Sequence, residues 1–314
     1  MRTENRHVKL GSDGRFVINP ALRDVLPAWL TVQPAEDVLP LTVVATASGY
    51  TNAGFVQPNF NEADPSYIIV SKLVFVDDTD TTALSAITCR LVDMGYNRDL
   101  MNSPLHIRAM FGTAQLPGVL YDEVSGWGEP LILQANGAIR AYFQKISGSA
   151  ADIRPYMMGR EIFFKNNQRI KRLIERKQLV TPFWLNPVES TVSLAANAST
   201  NLTIKVGQGH FQALQMTGVS TGNFSVEVME VRTRRTLMNG VITQTNGLGN
   251  AQYPYFMPTP YLIRQGDVIN VKITDLSGDT NRIFWSMFGK MYFCPIKHIT
   301  EIEHDLAPID SVGV

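Results

Sequence analysis

Apolar and polar residues alternate over short stretches along most of the chain, and one such stretch is written twice. Ile139, Ala141 and Phe143 share one face of an extended segment, and Ile269, Val271 and Ile273 repeat the register. This period of two marks a strand with one buried face. Residues 130–163 lie without a gap on residues 260–293 at a shift of 130, with Pro130/Pro260, Ile139/Ile269, Ser147/Ser277, Gly148/Gly278, Ile153/Ile283, Gly159/Gly289 and Phe163/Phe293 among the identities. Upstream, Leu100-Met101-Asn102 recurs as Leu237-Met238-Asn239 at a shift of 137, so one connection is seven residues longer in the first copy. Two anchors in the same order imply an internal duplication.

Each repeat reads as strand, turn, strand. Ser147-Gly148 and Ser277-Gly278 supply the tight turn, where glycine tolerates a positive φ. Strand-like runs in the first copy fall at 41–47, 67–76, 87–92, 106–111, 131–134, 139–143 and 161–164. In the second they fall at 191–195, 202–206, 211–216, 224–231, 261–264, 268–274 and 283–293. Short strands with long connections predict an antiparallel sandwich of immunoglobulin or jelly-roll type, and the long loops favour the jelly roll. The expected fold is therefore all-β: two tandem jelly-roll-like antiparallel β-sandwiches from an internal duplication, joined by a short basic helix.

The boundaries follow from the repeat. Residues 1–37 read as an arm, with a short helix in which Leu22, Val25 and Leu26 share a face. Residues 38–164 are the first sandwich, 165–180 the linker helix, 181–294 the second sandwich and 295–314 a tail. In the linker, Ile170, Leu173 and Ile174 form a narrow apolar stripe, while Lys165, Arg169, Lys171, Arg172, Arg176 and Lys177 face only Glu175 in charge.

Charge adds one contrast. The 28 basic and 28 acidic residues cancel, so the whole molecule has no steering field toward nucleic acid or an anionic membrane. Against that balance the basic linker surface, Arg169, Lys171, Arg172, Arg176 and Lys177, has two readings. It contacts phosphate or nucleic acid, or it meets an acidic surface of its own protein or of a neighbour. No run approaches the roughly 18 apolar residues of a membrane span, and Met1 to His7 precede no apolar leader, which reads as synthesis in a cytoplasm. Cys89 and Cys294 occupy non-equivalent places and read as free buried thiols.

The search for chemistry finds no catalytic constellation. There is no His-x-His pair, Gly-x-Ser-x-Gly elbow, Cys-x-x-Cys, His-Glu-x-x-His or Gly-rich phosphate loop. His298 and His304 beside Glu301 and Glu303, and the cluster Asp77, Asp78 and Asp80, read as an exposed tail and an acidic turn before they read as metal sites. The carboxylates of residues 93–99 are where a hydrolase would be sought. The expectation is no enzyme, no cofactor and no metal. Trp285 reads as core, whereas Trp127, in a Ser-Gly-Trp-Gly loop present only in the first copy, reads as an exposed contact.

The tandem units, the arm and the neutral surface resemble the double jelly-roll virion structural proteins of bacteriophages. So does the succession of Leu-Met-Asn, Pro-x-apolar, alternating strand, Ser-Gly and Gly-Arg/Lys-aromatic. The resemblance spans both halves. It implies a self-associating building block of the capsid, or of an attachment at the capsid, its vertices or its collar, made in the host cytoplasm. Its partners would be itself, as a homotrimer or a higher-order shell or ring, and other virion proteins. Phe16, Trp29, Leu30 and Trp127 are the candidate subunit contacts. The alternative is a carbohydrate-binding double β-sandwich, receptor-binding or lectin-like, with no virion partners.

Overall fold

The computed structural model describes residues 8–10, 16–18, 30–31, 36–40, 43–45, 51–56, 66–76, 87–112, 117–122, 127–134, 138–145, 151–164, 174–187, 192–238, 240–244 and 248–299. Among them the chain is mostly β, in antiparallel sheets. The first half contributes β1 (Glu36–Pro40), β2 (Val43–Ala45), β3 (Thr51–Val56), β4 (Ser66–Val76) and β5 (Ile87–Asp93). It continues with β6 (Arg98–Asp99), β7 (Leu105–His106), β8 (Leu131–Gln134), β9 (Ile139–Lys145) and β10 (Ala151–Phe164). The second half contributes β11 (Val180–Leu185), β12 (Val192–Leu194), β13 (Ser199–Lys205), β14 (His210–Ser220) and β15 (Phe224–Glu230). After these come β16 (Arg235–Thr236), β17 (Ile242–Thr243), β18 (Tyr255–Ile263), β19 (Val268–Asp275) and β20 (Asn281–Tyr292).

The two halves are wired alike. In the first, β9 lies between β3 and β5, and β6 and β7 continue from β5. In the second, β19 lies between β13 and β15, and β16 and β17 continue from β15. The other sheet places β10 between β4 and the pair β1 and β2, with β8 beyond β4. Its counterpart places β20 between β14 and the pair β11 and β12, with β18 beyond β14. Each of these pairings in one half recurs ten labels later in the other, whereas Gly118–Val119 on β4 and Tyr121–Asp122 with Trp127–Gly128 belong to the first half. Outside this frame, Val8–Leu10 pairs with Phe16–Ile18, and Leu30–Thr31 adds to β10.

The alternation seen in the sequence fills the space between facing sheets. Phe183, Phe211, Ile283, Trp285 and Met287 from one sheet meet Ile204, Val226, Val228, Ile269, Val271 and Ile273 from the other. Full burial of each such side chain contributes on the order of 1.5–3 kcal/mol. Trp285 is core, as its place in the repeat predicts.

Two elements differ from the sequence reading. The strand expected over 106–111 stops at His106, and Ile107–Met110 turns into a single helical turn, α1, with His106 Nδ1 accepting the Arg108 amide at 3.2 Å. The turn buries both Ile107 and Met110, three positions apart, where a strand would send them to opposite faces. Conversely, β11 gave no alternating signal, because all six of its residues are buried. Its Pro182 is accommodated because β11 is the edge strand of its sheet, where its one ladder is with β20 and its other side carries only the bridge at Trp184. Residues 174–179 are helical, and residues 165–173 of the expected linker lie outside the described residues. The short helix expected near Leu22, Val25 and Leu26, and the cluster Asp77, Asp78 and Asp80, lie outside the described residues.

The repeat glycines have a backbone reason. Between β4 and β10 the ladder slips at Met158/Gly159, and between β14 and β20 it slips opposite Phe288 and Gly289, so each half carries a bulge at the same place. A Cβ on Gly159 would strike the carbonyl oxygen of Ile69, and one on Gly289 that of Gln212. The Ser-Gly turn is also as expected in the second half, with Gly278 at φ +79°. Its neighbour Asp275 is buried and gathers that corner: Ser277 Oγ donates to Oδ1 at 2.7 Å, Asn281 Nδ2 to Oδ1 at 2.9 Å, and the Asn197 amide to Oδ2 at 2.9 Å. Burial pushes the carboxyl up, but the bonds from Ser277, Asn197 and Asn281 together outweigh it and hold Asp275 well below the usual carboxylate range.

Gly289→Ala is expected to lower stability in urea by about 2–3 kcal/mol through overpacking. Gly207→Ala, whose Cβ would meet nothing within 4 Å, should stay near wild type and serves as the control. Because the folded Asp275 pKa is depressed, its contribution is fully present above the unfolded value of about 4 and is lost as pH falls through the lower folded value. Melting temperature should therefore decline below about pH 4 in the wild type, and less steeply in Asp275→Asn.

Candidate functional site

The halves meet where the second half presents the outer side of its β11–β20–β14–β18 sheet. Side chains along β20 alternate: Ile283, Trp285 and Met287 enter the second core, while Phe284 and Phe288 point outward, toward the first half. Trp184 of β11 and Phe288 belong to the core of the first half, together with Ile68, Leu73, Cys89, Phe111 and Phe143. One sheet thus closes two cores.

Backbone and polar groups fasten the same seam. The Trp184 amide donates to the Leu100 carbonyl at 2.9 Å, and the Asn102 amide donates back to the Trp184 carbonyl at 3.3 Å. This is the Leu-Met-Asn anchor of the first copy, so a repeat motif joins the copies here. Ser103 Oγ donates to the Pro187 carbonyl at 2.6 Å, and Asn186 Nδ2 donates to the Ser103 carbonyl at 3.0 Å. The His106 ring lies 4.5 Å from that of Phe284, and the Ala251 amide donates to the Arg108 carbonyl at 2.9 Å.

The linker adds charge to the seam. Arg176 grips Glu129 with two bonds of 2.6 Å, Nε to Oε1 and Nη2 to Oε2, and both side chains are buried. The neighbouring Lys177 ammonium stands 3.0 Å from Asp93 Oδ2, also buried. Burial lowers the Lys177 pKa from its ordinary value, against the opposing pull of Asp93. Arg98 lies with its guanidinium 3.6 Å from the centre of the Phe293 ring. Of the expected basic linker surface, Arg176 and Lys177 are therefore turned inward onto carboxylates of the first half, the own-protein alternative of the sequence reading. Arg169, Lys171 and Arg172 lie outside the described residues.

Where the halves diverge from one another, a groove of about 670 Å³ remains. Lys72, Val119, Tyr121 and Trp127 line it from the first half, and Gln212, Leu214, Phe256 and Lys290 from the second. Trp127 is half-buried. Its strand Trp127–Gly128 pairs with Tyr121–Asp122, and its ring stands 5.2 Å from Phe256 and 6.0 Å from Phe288. Both rings belong to the same chain, and Trp127 also lines the groove. Phe256 remains 53% exposed. Among the arm candidates, Phe16 lies in the strand paired with Val8–Leu10, Leu30 is opposite Phe164 of β10, and Trp29 is outside the described residues.

No clustered chemistry appears among the described residues. No three His, Cys, Asp or Glu side chains come together there, and no helix is long and apolar enough to cross a membrane. In the 93–99 region, Asp93 holds Lys177, and Asp99 accepts Arg90 Nε and Nη2 at 2.8 and 2.9 Å. Cys89 and Cys294 are free thiols, the first buried and the second half-buried, and burial raises the pKa of each.

Sequence reasoning missed Glu129, the pairing of Asp93 with the linker, and the groove walls other than Trp127. A signal existed for Asp93: at the shift of 137 it falls on Glu230, a second buried carboxylate, which accepts Arg232, Thr233 and Tyr261. For Glu129 and the groove there was none, because their partners are distant in sequence.

No protein-family model matches the chain, and no curated protein is similar to it in sequence. Among solved structures it is weakly similar to infectious bursal disease virus of the Gx strain, at 11% identity over 87% of this chain and 77% of that one, TM-score 0.20. The VP2 subviral particle of the same virus gives 11% identity over 84% and 71%, TM-score 0.20. The ANX2 ectodomain from Arabidopsis thaliana gives 11% over 93% and 95%, TM-score 0.21. At these scores none of the three bears on what the chain does.

Asp93→Asn, which strands the buried Lys177 ammonium, is expected to cost about 3–5 kcal/mol in chemical denaturation. The double variant Asp93→Leu with Lys177→Met should recover most of that loss. If the single variant matched wild type, the ion pair would not hold the linker.

Proposed function

We propose that this chain is a structural protein of a bacteriophage virion: a self-associating double jelly-roll block of the capsid or of an attachment at its vertices or collar. The strand order carries the reading. With β1 and β2 as B, β3 as C, β4 as D, β5 as E, β6 and β7 as F, β8 as G, β9 as H and β10 as I, the first half reads B-I-D-G in one sheet and C-H-E-F in the other. The second half reads the same, and this is the jelly-roll order found in viral capsid and lectin domains.

The rigid seam supports it further. A shell subunit must hold its two sandwiches at one angle to tile with neighbours, and a shared core with buried ion pairs does that. The pairing of Leu30–Thr31 with β10 brings residues of the proposed arm onto the sheet edge, where an exchanged strand would add. Contact with packaged nucleic acid, if made by the linker, falls to Arg169, Lys171 and Arg172, since Arg176 and Lys177 are taken. One observation favours the carbohydrate-binding alternative, the groove with Trp127, Tyr121 and Phe256 along its walls.

Light scattering of the purified chain, with negative-stain images of the same sample, is expected to show trimers, rings or shells, and deletion of residues 1–30 to reduce them to smaller species. A clean monomer at high concentration would overturn the virion reading and direct a glycan screen at the groove.

A further inference from the structure

The two halves carry one turn with opposite charge. Residues 93–99 fall on residues 230–236 at the shift of 137, and the backbones agree. Asp93 pairs with Arg98 as Glu230 pairs with Arg235, and the residue between is left-handed in both, Asn97 at φ +47° and Arg234 at φ +55°. Asparagine tolerates that conformation, whereas arginine is disfavoured in it. The turn's geometry therefore does not call for Arg234. The first turn holds Arg98 against Asp93 and Asp99, while the second holds Arg232, Arg234 and Arg235 against Glu230 alone.

The acids beneath the second turn are engaged within the fold. Glu230 is buried and accepts Arg232 Nη2 through Oε1 at 3.1 Å, and the hydroxyls of Thr233 and Tyr261 through Oε2. Asp267 is buried too, its Oδ1 accepting Arg232 Nε at 2.8 Å and its Oδ2 the Arg264 amide at 3.2 Å. Above them Arg232, Arg234, Arg235 and Arg264 are all exposed, and the Arg235 guanidinium stands 5.5 Å from the centre of the Tyr261 ring. The adjoining loops are tied to the same corner, the Gln265 amide donating to His210 Nδ1 at 3.1 Å and the Gly266 amide to the Val206 carbonyl at 2.7 Å.

The composition of this surface selects its partner. A protein interface centres on aromatic and aliphatic anchors. Among the exposed residues 231–236, 207–208 and 264–266, Val231 alone is a large apolar side chain, and the rest are arginines, threonines, glutamines and glycines. Guanidinium groups take phosphate oxygens two bonds at a time, and such contacts hold a polyanion without reading bases. In a chain of zero net charge the attraction is local to this corner. We propose that the turn Arg232–Arg235, with Arg264 beside it, binds the phosphate backbone of nucleic acid independently of sequence. The assignment stands on the turn's geometry and charge and does not depend on the virion reading.

The test is fluorescence anisotropy of a labelled DNA duplex of arbitrary sequence, titrated with the full chain at several salt concentrations. The logarithm of affinity is expected to fall against the logarithm of salt with a slope of about −3, as for roughly three phosphate contacts. Arg234→Asn with Arg264→Gln gives the turn the asparagine of the first half and leaves the Glu230 and Asp267 network in place. It should keep the wild-type melting temperature, weaken binding at low salt by about tenfold and reduce the slope by about 2. Lys72→Glu removes the same net charge at an exposed position of the first half and should bind as wild type does. Absence of binding at low salt, a slope indifferent to the arginine changes, or an equal loss in Lys72→Glu would each overturn the proposal. Displacement of the labelled duplex by polyglutamate as readily as by unlabelled duplex would also overturn it, assigning the surface to an acidic protein partner instead.

Discussion

The structure depends on one sheet being apolar on both sides. Along β20 and β11, neighbouring side chains point into different cores, Trp285 and Met287 into the second, Trp184 and Phe288 into the first. An antiparallel sheet ordinarily keeps one face for solvent. Here that face is spent on the partner half, and the rest follows. The anchor at Leu100–Asn102 can pair with Trp184 only because the sheet lies against it, and α1 packs near β14 and β20 of the same sheet.

The two halves share one wiring, and the seam makes them unequal. The equivalent carboxylates Asp93 and Glu230 show how. Both sit buried at the end of the same strand, yet Asp93 holds Lys177 of the linker, while Glu230 is saturated locally by Arg232, Thr233 and Tyr261. A buried acid needs a cation or several donors wherever it stands. Which partner it finds is decided by what the fold brings past it: the linker helix in the first half, the adjoining turn and β18 in the second.

This divides what was legible in the sequence from what was not. The repeat, the alternating strands, the Ser-Gly turn and Trp285 as core could all be read directly, because each is fixed by neighbours in the chain or by the period of a pleated strand. Gly159 and Gly289 were visible as identities, but their cause, a bulge that brings the backbone against Ile69 and Gln212, needed the register. β11 escaped because burial on both faces erases alternation. The inward turn of Arg176 and Lys177 escaped because a charge count along a helix does not say which acids, 47 and 84 residues earlier, will stand opposite. Trp127 was read as an exposed contact, whereas it is half-buried against Phe256 and Phe288, which belong to the other half of the chain.

The shared wall also bears on why two units occupy one polypeptide. A single unit bearing Trp184 and Phe288 on an open sheet would expose two large aromatics and would bind whatever apolar surface it met, including other copies. Joining two units by a short helix replaces that search with an encounter inside one molecule, at an effective concentration set by the tether rather than by expression level. Stoichiometry at the seam is then one to one by construction, and neither half can be lost without unmasking the other.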